Sequence, residues 1–316
     1  MTGDPVRVLV FGAGAVGSRF AAALAEAGHS VTVVGRPAHV AAIVANGLVL
    51  EGESAAAVHL EARTEAERGN GAEVVLLTVK SYDVETAGRA IAAGFPEPVP
   101  VVALSNGLGI ETALSRGLSE GGWPDPEHWT IRGVHTVPAR LTAPGVVRST
   151  GTGEVILGRN PAIPDWSERL RGAFETAGFV VRVTDEIDRE VWRKALVNAA
   201  INPVTADHGL SNGRLVEEPW RGQATALLRE ALRAAAAEGQ EFDPVEAERT
   251  VFGVVRATAA NRSSMLEDLD HGRRTEIDAI SGAIADAGRR HGIPMPATER
   301  AIVRIRTREA ERRAAG

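Results

Sequence analysis

The sequence contains no cysteine. Disulfide bonds, thiol catalysis and thiolate metal sites are therefore excluded. A chain of 316 residues can bury a sizeable core without disulfides or a structural metal. The lack of cysteine agrees with a reducing compartment, and we expect a cytoplasmic protein that has no metal site.

Long apolar runs and basic stretches are also missing. The apolar run that begins at Val6 ends at Gly12, which is far too short to span a bilayer. The first residues lack the basic start of a signal peptide. The formal net charge is -6, and no basic stretch alternates with aromatic residues. We therefore expect neither a membrane nor a nucleic acid as a partner.

Lysine is almost absent as well. Lysine and arginine together number 35, but only Lys80 and Lys194 are lysines. So strong a preference for arginine predicts that a lysine is kept where arginine cannot replace it. Lysine can release a proton near neutral pH when its site lowers its pKa, whereas guanidinium cannot. Both lysines are therefore candidate functional residues, with chance survival at a solvated position as the alternative.

The first part of the chain alternates between short apolar segments and helical ones. Strands are predicted at residues 6–11, 30–34, 73–79, 99–104 and 179–184, with a helix at 15–27 and a β-rich stretch at 130–158 that has turns near 144–145 and 151–153. Such an alternation predicts an α/β fold with a parallel sheet that is covered on both faces.

The second part is predicted to be helical throughout. Helices are predicted at residues 186–201, 217–240, 244–259 and 275–291, with another that begins at 297. We place the domain boundary near Asp185, which gives domains of residues 1–184 and 185–316.

A glycine-rich turn follows the first strand and opens the first helix. It consists of Gly12, Ala13, Gly14, Ala15, Val16 and Gly17. Gly12 permits the tight turn, Gly14 lets the backbone approach a pyrophosphate, and Gly17 lets the helix pack closely on the strand. This context predicts a dinucleotide site. The fold is thus predicted to be an N-terminal Rossmann-type parallel sheet domain, followed by an all-helical C-terminal domain.

The end of the second predicted strand indicates which dinucleotide binds. NAD-binding units usually carry Asp or Glu there to bind the ribose hydroxyls. This chain has Gly35 and Arg36 instead. Because Arg36 can pair with a 2′-phosphate, the sequence favours NADP(H); a solvated arginine without a ligand is the alternative.

One predicted helix of the second domain carries a polar stripe. Lys194, Asn198 and Asn202 lie four residues apart, which places them on one face. Asn198 is the only polar residue in 195–201, so we expect this stretch to be buried nearly all round. The buried carboxamide of Asn198 then needs hydrogen-bond partners. Either a polar ligand in a cleft or a structural network between the domains would supply them. We expect Pro203 to end or bend the helix.

Two short segments further along add hydroxyl and carboxylate groups. Ser263 and Ser264 are small hydroxyl donors beside apolar residues. Thr275 is expected to cap the next helix, which would place Glu276 in its first turn. A glutamate there is more often a favourable contact with the helix dipole than a catalytic group, so Glu276 alone indicates little.

Polar residues also follow two of the predicted strands. Lys80 follows the strand at 73–79, and Asn106 follows the strand at 99–104. Ligands of open α/β sheets bind at the carboxyl ends of the strands. Both residues are therefore candidate ligand contacts.

Taken together, these segments resemble the ketopantoate reductase (2-dehydropantoate 2-reductase) family. The matching pieces, in order, are 12–17 (GAGAVG), 78–80 (TVK), 105–109 (SNGLG), 192–198 (WRKALVN), 201–206 (INPVTA), 263–265 (SSM) and 274–278 (RTEID). They span nearly the whole chain. Many families share the glycine turn, whereas the lysine and asparagine run combined with TEID is more specific.

The resemblance implies a cleft between the two domains and NADPH-dependent reduction of 2-dehydropantoate to (R)-pantoate, a step toward pantothenate and coenzyme A. It implies that Lys194 is the general acid that protonates the developing alkoxide. Glu276 would orient the substrate and Lys194. Asn198, Asn202 and Ser264 would hold the substrate's carboxylate and hydroxyl groups.

On the cofactor side, the resemblance implies that the glycine turn, Arg36 and Lys80 bind NADP(H). It places Asn106 where the nicotinamide meets the substrate, so that Asn106 contacts both molecules. The partner is then a small 2-keto acid. The oligomeric state stays open, a homodimer included.

Two alternatives remain at this stage. One is a related NADPH-dependent reductase that acts on another branched 2-keto acid or makes an opine-type product. The other is a non-catalytic NADP(H) sensor. Retention of Lys194 and Glu276 argues against the sensor, because a sensor needs the cofactor turn but no proton donor.

Overall fold

The computed structural model describes residues 4–52, 57–66, 71–149 and 153–315, and Ala315 by its backbone alone. Two positions of the turn expected at 151–153 lie outside these residues. The chain forms two compact units. The first comprises Met1–Ser105 and Ile110–Ile187, and the second comprises Asn106–Gly109 and Asp188–Gly316. The division thus follows Ile187 rather than residue 184, and 106–109 belong to the second unit.

All strands of the described residues lie in the first unit. They are β1 (Arg7–Phe11), β2 (Ser30–Val34), β3 (Leu48–Glu51), β4 (Ala57–Val58), β5 (Glu61–Arg63), β6 (Val74–Leu77), β7 (Val101–Ala103), β8 (Thr130–His135), β9 (Ala139–Ala143), β10 (Val146–Ser149), β11 (Glu154–Gly158) and β12 (Val180–Thr184).

The described helices fall in both units. They are α1 (Ala15–Glu26), α2 (Pro37–Asn46), α3 (Val84–Gly94), α4 (Ile110–Glu120) and α5 (Pro164–Thr176), then α6 (Ile187–His208), α7 (Trp220–Ala237), α8 (Pro244–Ala257), α9 (Ser264–Asp270), α10 (Ala283–Arg290) and α11 (Pro296–Ala315). Among the described residues, no helix is both long enough and apolar enough to cross a bilayer.

The main sheet has the strand order β12-β11-β8-β7-β6-β1-β2-β5. Its neighbouring strands are parallel except β8 and β11. Counted within this sheet, the first six strands follow the 3-2-1-4-5-6 order of doubly wound dinucleotide folds. The predicted Rossmann-type sheet is therefore confirmed, together with the helical second part.

The β-rich stretch after residue 130 divides between two sheets. β8 and β11 extend the main sheet, whereas β9 and β10 join β3 and β4 in a separate sheet of order β4-β3-β10-β9. This small sheet packs on α1, so it covers the helix that the glycine turn opens.

Side chains on both faces of the main sheet are buried, as a parallel sheet requires. Val8 and Val10 of β1 pack in the cluster that contains Phe20 of α1 and Phe174 of α5. Leu9 points the other way, into the cluster formed with α3 and α4. Alternate residues of one strand thus serve two cores.

The second unit buries one cluster of small and branched residues from α6 to α11. Alanine is frequent along α7, where Ala231, Ala234 and Ala235 are fully buried. Residues without long side chains let helices approach closely, so a compact helical core forms with few aromatic residues.

Pro203 is expected from the sequence to end or bend α6, and the first of these two alternatives is wrong. The helix continues to His208, and Pro203 is buried inside it. Proline has no N–H and costs one helical hydrogen bond. Burial of the apolar residues that follow, such as Val204 and Ala206, offsets this loss.

The helix predicted at 275–291 begins differently from the prediction. Thr275 lies two residues before the first helical residue, Ile277, whose N–H donates to Thr275 Oγ1 at 3.3 Å. Glu276 precedes the helical residues, which start at Ile277. A π-helical turn, Asp278–Gly282, then leads into α10. Such turns interrupt the regular hydrogen-bond ladder and often occur near functional sites.

A buried histidine ties α2 to its neighbours. His39 Nδ1 accepts from the N–H of Gly145 at 2.9 Å, so the proton lies on Nε2, which donates to Ser18 Oγ at 2.9 Å. Burial lowers the pKa of His39 from its usual 6.5. Above pH 6.5 the native state therefore holds a neutral imidazole at this position.

We predict that acid destabilises the first unit in part through His39. Since the pKa is lower in the folded chain, the unfolded chain binds more protons below pH 6.5, and the free energy of unfolding falls as pH drops toward the folded-state pKa. In urea titrations, His39→Gln should have a lower free energy of unfolding than the wild type at pH 7.5. Between pH 7.5 and pH 5.5, that free energy should fall less in the variant than in the wild type. An equal fall in the free energy of unfolding between these pH values in the variant and the wild type would contradict this role.

Candidate functional site

Close contacts in the glycine turn leave no room for a side chain at Gly12 or Gly17. The N–H groups of Gly12 and Ala13 both donate to the carbonyl oxygen of Val34, at 2.9 and 2.8 Å. Gly12 has φ +110°, which favours glycine. A Cβ on Gly17 would fall on the carbonyl oxygen of Gly12 and 2.5 Å from Thr78 Oγ1. The turn is therefore closed around α1 by close packing.

Gly14 differs from the other two glycines. It is exposed, and a Cβ built on it would meet nothing within 4 Å. The chain itself thus gives no reason for a glycine here. Close approach of a ligand to the backbone would require one, and the open space fits the pyrophosphate of a dinucleotide at the start of α1.

Thr78 fixes the turn from the neighbouring strand. Its Oγ1 donates to the carbonyl oxygen of Gly12 at 2.8 Å. The residue follows β6 directly, so the end of β6 and the turn after β1 are joined. The sequence prediction did not assign a role to Thr78.

Arg36 lies beside this turn at the start of α2. A Cβ on the preceding Gly35 would come within 2.8 Å of Ala13 Cβ, so the end of β2 packs against the turn. Arg36 is exposed and occupies the N-cap position of α2, with Pro37 at the first helical position. The first turn of α2 has no acidic residue. A guanidinium and a helix N-terminus are thus available to one anion.

Lys80 lies at the carboxyl end of β6, half-buried, where it precedes a short helical turn. The neighbouring strand end is tied to the same place, because Ser105 Oγ donates to the carbonyl oxygen of Val79 at 2.7 Å. Lys80 therefore projects from a fixed edge of the sheet.

A buried arginine supports the end of β7. Arg132 Nη1 donates to the carbonyl oxygens of Ala103 at 2.7 Å and Ser105 at 3.2 Å. Its Nε lies 2.8 Å from Glu111 Oε1. In an arginine-rich sequence this residue gave no signal of its own, and the prediction missed it. Arg132 holds the backbone immediately before Asn106.

In the second unit, α6 carries the predicted polar stripe. Lys194, Asn198 and Asn202 lie on successive turns. Lys194 and Asn198 are half-buried and Asn202 is buried. Val197 is also half-buried, so the segment is less enclosed than the expected burial nearly all round. One polar face of α6 is thus partly accessible.

Asn106 and Glu276 meet within this same unit. Asn106 Nδ2 donates to Glu276 Oε2 at 3.2 Å. Oδ1 of Asn106 is buried and has no hydrogen-bond partner among the described residues. Glu276 is only 5% exposed. The pair therefore combines a buried carboxylate with an acceptor oxygen that a ligand can satisfy.

A backbone contact fixes Asn106 beside the π-helical turn. The N–H of Leu108 donates to the carbonyl oxygen of Ala279 at 3.0 Å. A Cβ on Gly107 would lie 2.8 Å from the same carbonyl oxygen. Segment 106–109 thus lies against the turn that follows Glu276.

The two adjacent serines have different environments. Ser263 is buried and caps α9, where its Oγ accepts from the N–H of Leu266 at 3.2 Å. Ser264 is exposed in the first turn of α9. Only Ser264 is therefore accessible to a ligand. The prediction had treated both as comparable hydroxyl donors.

The strand order and the glycine turn define the protein as a Rossmann-type dinucleotide-binding protein with an added helical unit. The family model described as ketopantoate reductase PanE/ApbA matches residues 8–162, and the model of that family's C-terminal part matches residues 186–309. The chain belongs to the ketopantoate reductase family.

Relatives of known name span almost the same length. A 2-dehydropantoate 2-reductase of Archaeoglobus fulgidus is 34% identical over 91% of this chain and 92% of its own. That of Pyrococcus horikoshii is 33% identical over 89% and 90%. The protein is accordingly an oxidoreductase with a nicotinamide cofactor, as the sequence predicted.

Solved structures agree on the fold. A PanE/ApbA family ketopantoate reductase from Ralstonia eutropha superimposes with a TM-score of 0.86 at 30% identity, over 97% of this chain and 99% of the other. D-mandelate dehydrogenase, solved with NADH and anilino(oxo)acetate, gives 0.90 at 23% identity, over 97% and 99%. The second likeness concerns the fold alone.

We predict opposite results for two glycine substitutions in the turn. Gly17→Ala should lower the free energy of unfolding by about 2 kcal/mol, because its methyl group collides with Gly12 and Thr78. Gly14→Ala should keep the wild-type stability but weaken NADPH binding by about tenfold or more, because its methyl group occupies the space that the pyrophosphate approaches. Urea unfolding and NADPH fluorescence titration measure the two effects. Normal cofactor binding by Gly14→Ala would remove Gly14 from the site.

Proposed function

We propose that the protein reduces 2-dehydropantoate to (R)-pantoate with NADPH, and that Lys194 is the general acid. The observation that carries the proposal is the polar content of the second unit. Lys194 lies half-buried on the same face of α6 as two asparagines, and the same unit holds the Asn106–Glu276 pair. This set supplies one cation, one carboxylate and several amides for a small polar acid.

The first unit provides a fitting site for the cofactor. The exposed Gly14 backbone and the start of α1 suit the pyrophosphate. The bound cofactor supplies the hydride that the ketone carbon receives. Lys80, at the carboxyl end of β6, adds a cation at the edge of the sheet where ligands of such folds bind.

Arg36 favours NADPH over NADH. Gly35 and Arg36 follow β2 where a carboxylate would bind ribose hydroxyls. Because Gly35 packs on Ala13, Arg36 is kept close to the phosphate turn. A 2′-phosphate would gain both the guanidinium and the N-terminal end of α2.

Lys194 suits the proton-transfer step. When hydride reaches the ketone carbon, negative charge develops on oxygen, and a nearby ammonium stabilises this charge and then donates its proton. Arginine would give the same charge but not the proton. This distinction accounts for a lysine at this position in a chain that otherwise uses arginine almost everywhere.

The remaining polar groups suit a small hydroxylated keto acid. Asn198, Asn202 and Ser264 are proposed to hold its carboxylate and hydroxyl groups. The unpartnered Oδ1 of Asn106 can accept a hydrogen bond from a ligand, and Glu276 keeps that carboxamide oriented. Full-length relatives named 2-dehydropantoate 2-reductase support this particular substrate.

We predict that Lys194→Ala lowers kcat by 10²–10⁴-fold, on the order expected for a general acid, while the Kd for NADPH changes little. Lys194→Arg should also be nearly inactive, because it keeps the charge but cannot release the proton. Lys80→Ala, the chain's other lysine, should instead raise the Kd for NADPH. Turnover by Lys194→Arg close to the wild-type rate would rule out proton donation and leave only charge stabilisation.

Substrate identity is tested by NADPH oxidation with 2-dehydropantoate and a panel of other 2-keto acids. We expect the highest kcat/KM with 2-dehydropantoate. A higher value with another branched keto acid would reassign the substrate but keep the reaction class. No turnover with any of them would contradict a keto-acid reductase.

We predict that Arg36→Ala raises the Kd for NADPH by about tenfold or more and leaves the Kd for NADH nearly unchanged, because only NADPH carries the 2′-phosphate. Arg116→Ala is the matched control, since it removes an exposed arginine of the same unit on α4. Equal weakening of both cofactors would show that Arg36 does not bind the 2′-phosphate.

A further inference from the structure

A pair of buried hydroxyl groups joins α6 to the start of α9. Thr205 is 0% exposed and Ser263 is 5% exposed. Their hydroxyl oxygens lie 2.8 Å apart. Neither side chain is among the groups assigned above to substrate or cofactor, so the pair needs an explanation of its own.

Each of the two hydroxyl groups needs the other as a hydrogen-bond partner. Removal of either one therefore leaves the other without that bond. Thr205 Oγ1 also lies 2.9 Å from the carbonyl oxygen of Ile201 and 3.1 Å from that of Asn202. Thr205 has one hydrogen and can donate to one of these oxygens at a time. When it donates to a carbonyl, Ser263 donates to Thr205, and the N–H of Leu266 donates to Ser263. One continuous chain of hydrogen bonds then results.

This chain of hydrogen bonds lies at a turn of α6 that lacks one backbone hydrogen bond. Pro203 has no N–H, so the hydrogen bond that would reach back to the carbonyl of Ala199 is missing. The gap lies one residue after Asn202. Thr205 adds side-chain bonds to the backbone at this same turn, and such bonds alter the local course of a helix. Thr205 therefore contacts the backbone of Asn202, whose side chain is one of the proposed substrate-binding groups.

The other end of the chain of bonds sets the position of Ser264. Ser263 is the N-cap of α9, and Ser264 is the first residue of that helix. Because Ser263 bonds both to Thr205 and to the N–H of Leu266, the start of α9 is fixed to α6. Two of the proposed substrate-binding side chains are thus linked through Thr205.

We propose that Thr205 is a positioning residue for the keto-acid site, which holds Asn202 and Ser264 in register through Ser263. This role rests on the proposed function. Thr205 touches neither substrate nor cofactor in this scheme. Its effect is on substrate binding, so it raises the affinity for the keto acid and leaves NADPH binding alone.

The test compares variants in steady-state kinetics, NADPH titration and thermal unfolding. Thr205→Val keeps the shape and removes the hydroxyl; it should raise KM for 2-dehydropantoate about tenfold, as the loss of one buried hydrogen bond predicts, with the Kd for NADPH unchanged. Thr205→Ser should restore KM to within about twofold of the wild type, because it keeps the hydroxyl. Thr307→Val, which removes a threonine hydroxyl bonded to the carbonyl of Val303 on α11, should leave KM unchanged.

Ser263→Ala removes the bond between Thr205 and Ser263 from the other side. It tests the positioning role even if Thr205→Val fails to fold. It should also raise KM, and the loss in the double variant should be smaller than the sum of the two single losses, because both variants remove the shared bond between Thr205 and Ser263. A lower unfolding temperature with unchanged KM in both single variants, a Thr205→Ser variant as impaired as Thr205→Val, or additive effects would each overturn the positioning role. Absence of wild-type turnover with 2-dehydropantoate would instead contradict the proposed function, and this role with it.

Discussion

The close approach of α1 to the ends of β1 and β6 is the constraint on which the dinucleotide-binding unit depends. A side chain on Gly17 would displace the carbonyl of Gly12, and that carbonyl is the acceptor that Thr78 uses to fix the turn. The same turn receives the end of β2, because its N–H groups donate to Val34. Three strand ends and one helix N-terminus are thus held together by backbone hydrogen bonds and the Thr78 hydroxyl, and any ligand at α1 meets a preformed site.

The helical unit is subject to a different constraint. Its helices must bury apolar residues on one face and present polar residues on another. α6 contributes buried residues to that core while it presents Lys194 and Asn198 on a half-buried face. Buried polar side chains in such a setting need complete hydrogen bonding. Asn106 meets this need only in part, because one of its two polar atoms is satisfied by Glu276 and the other is not. We propose that a ligand satisfies this remaining oxygen.

Much of this arrangement could be read from the sequence, because it depends on local signals. Apolar runs and glycines predicted the strands and the turn, and spacing predicted the stripe on α6. The rest depends on contacts between distant segments. Pro203 signals a helix end locally, yet burial of the following turn keeps α6 helical. Neither the hydrogen bond between Ser263 and Thr205 nor the support that Arg132 gives to β7 has a local signature, since each depends on residues far away along the chain.

The positions of the arginines help to explain why lysine is almost absent from this chain. Most of the arginines pair with carboxylates on the surface, where exposed ion pairs contribute little and either cation would serve. Arg132 is an exception, because one guanidinium nitrogen reaches several backbone carbonyls while Nε faces Glu111, a geometry that an ammonium cannot reproduce. Lys194 is the opposite exception. Its site lies among amides on a half-buried helix face, and there the property that separates lysine from arginine is the capacity to release a proton.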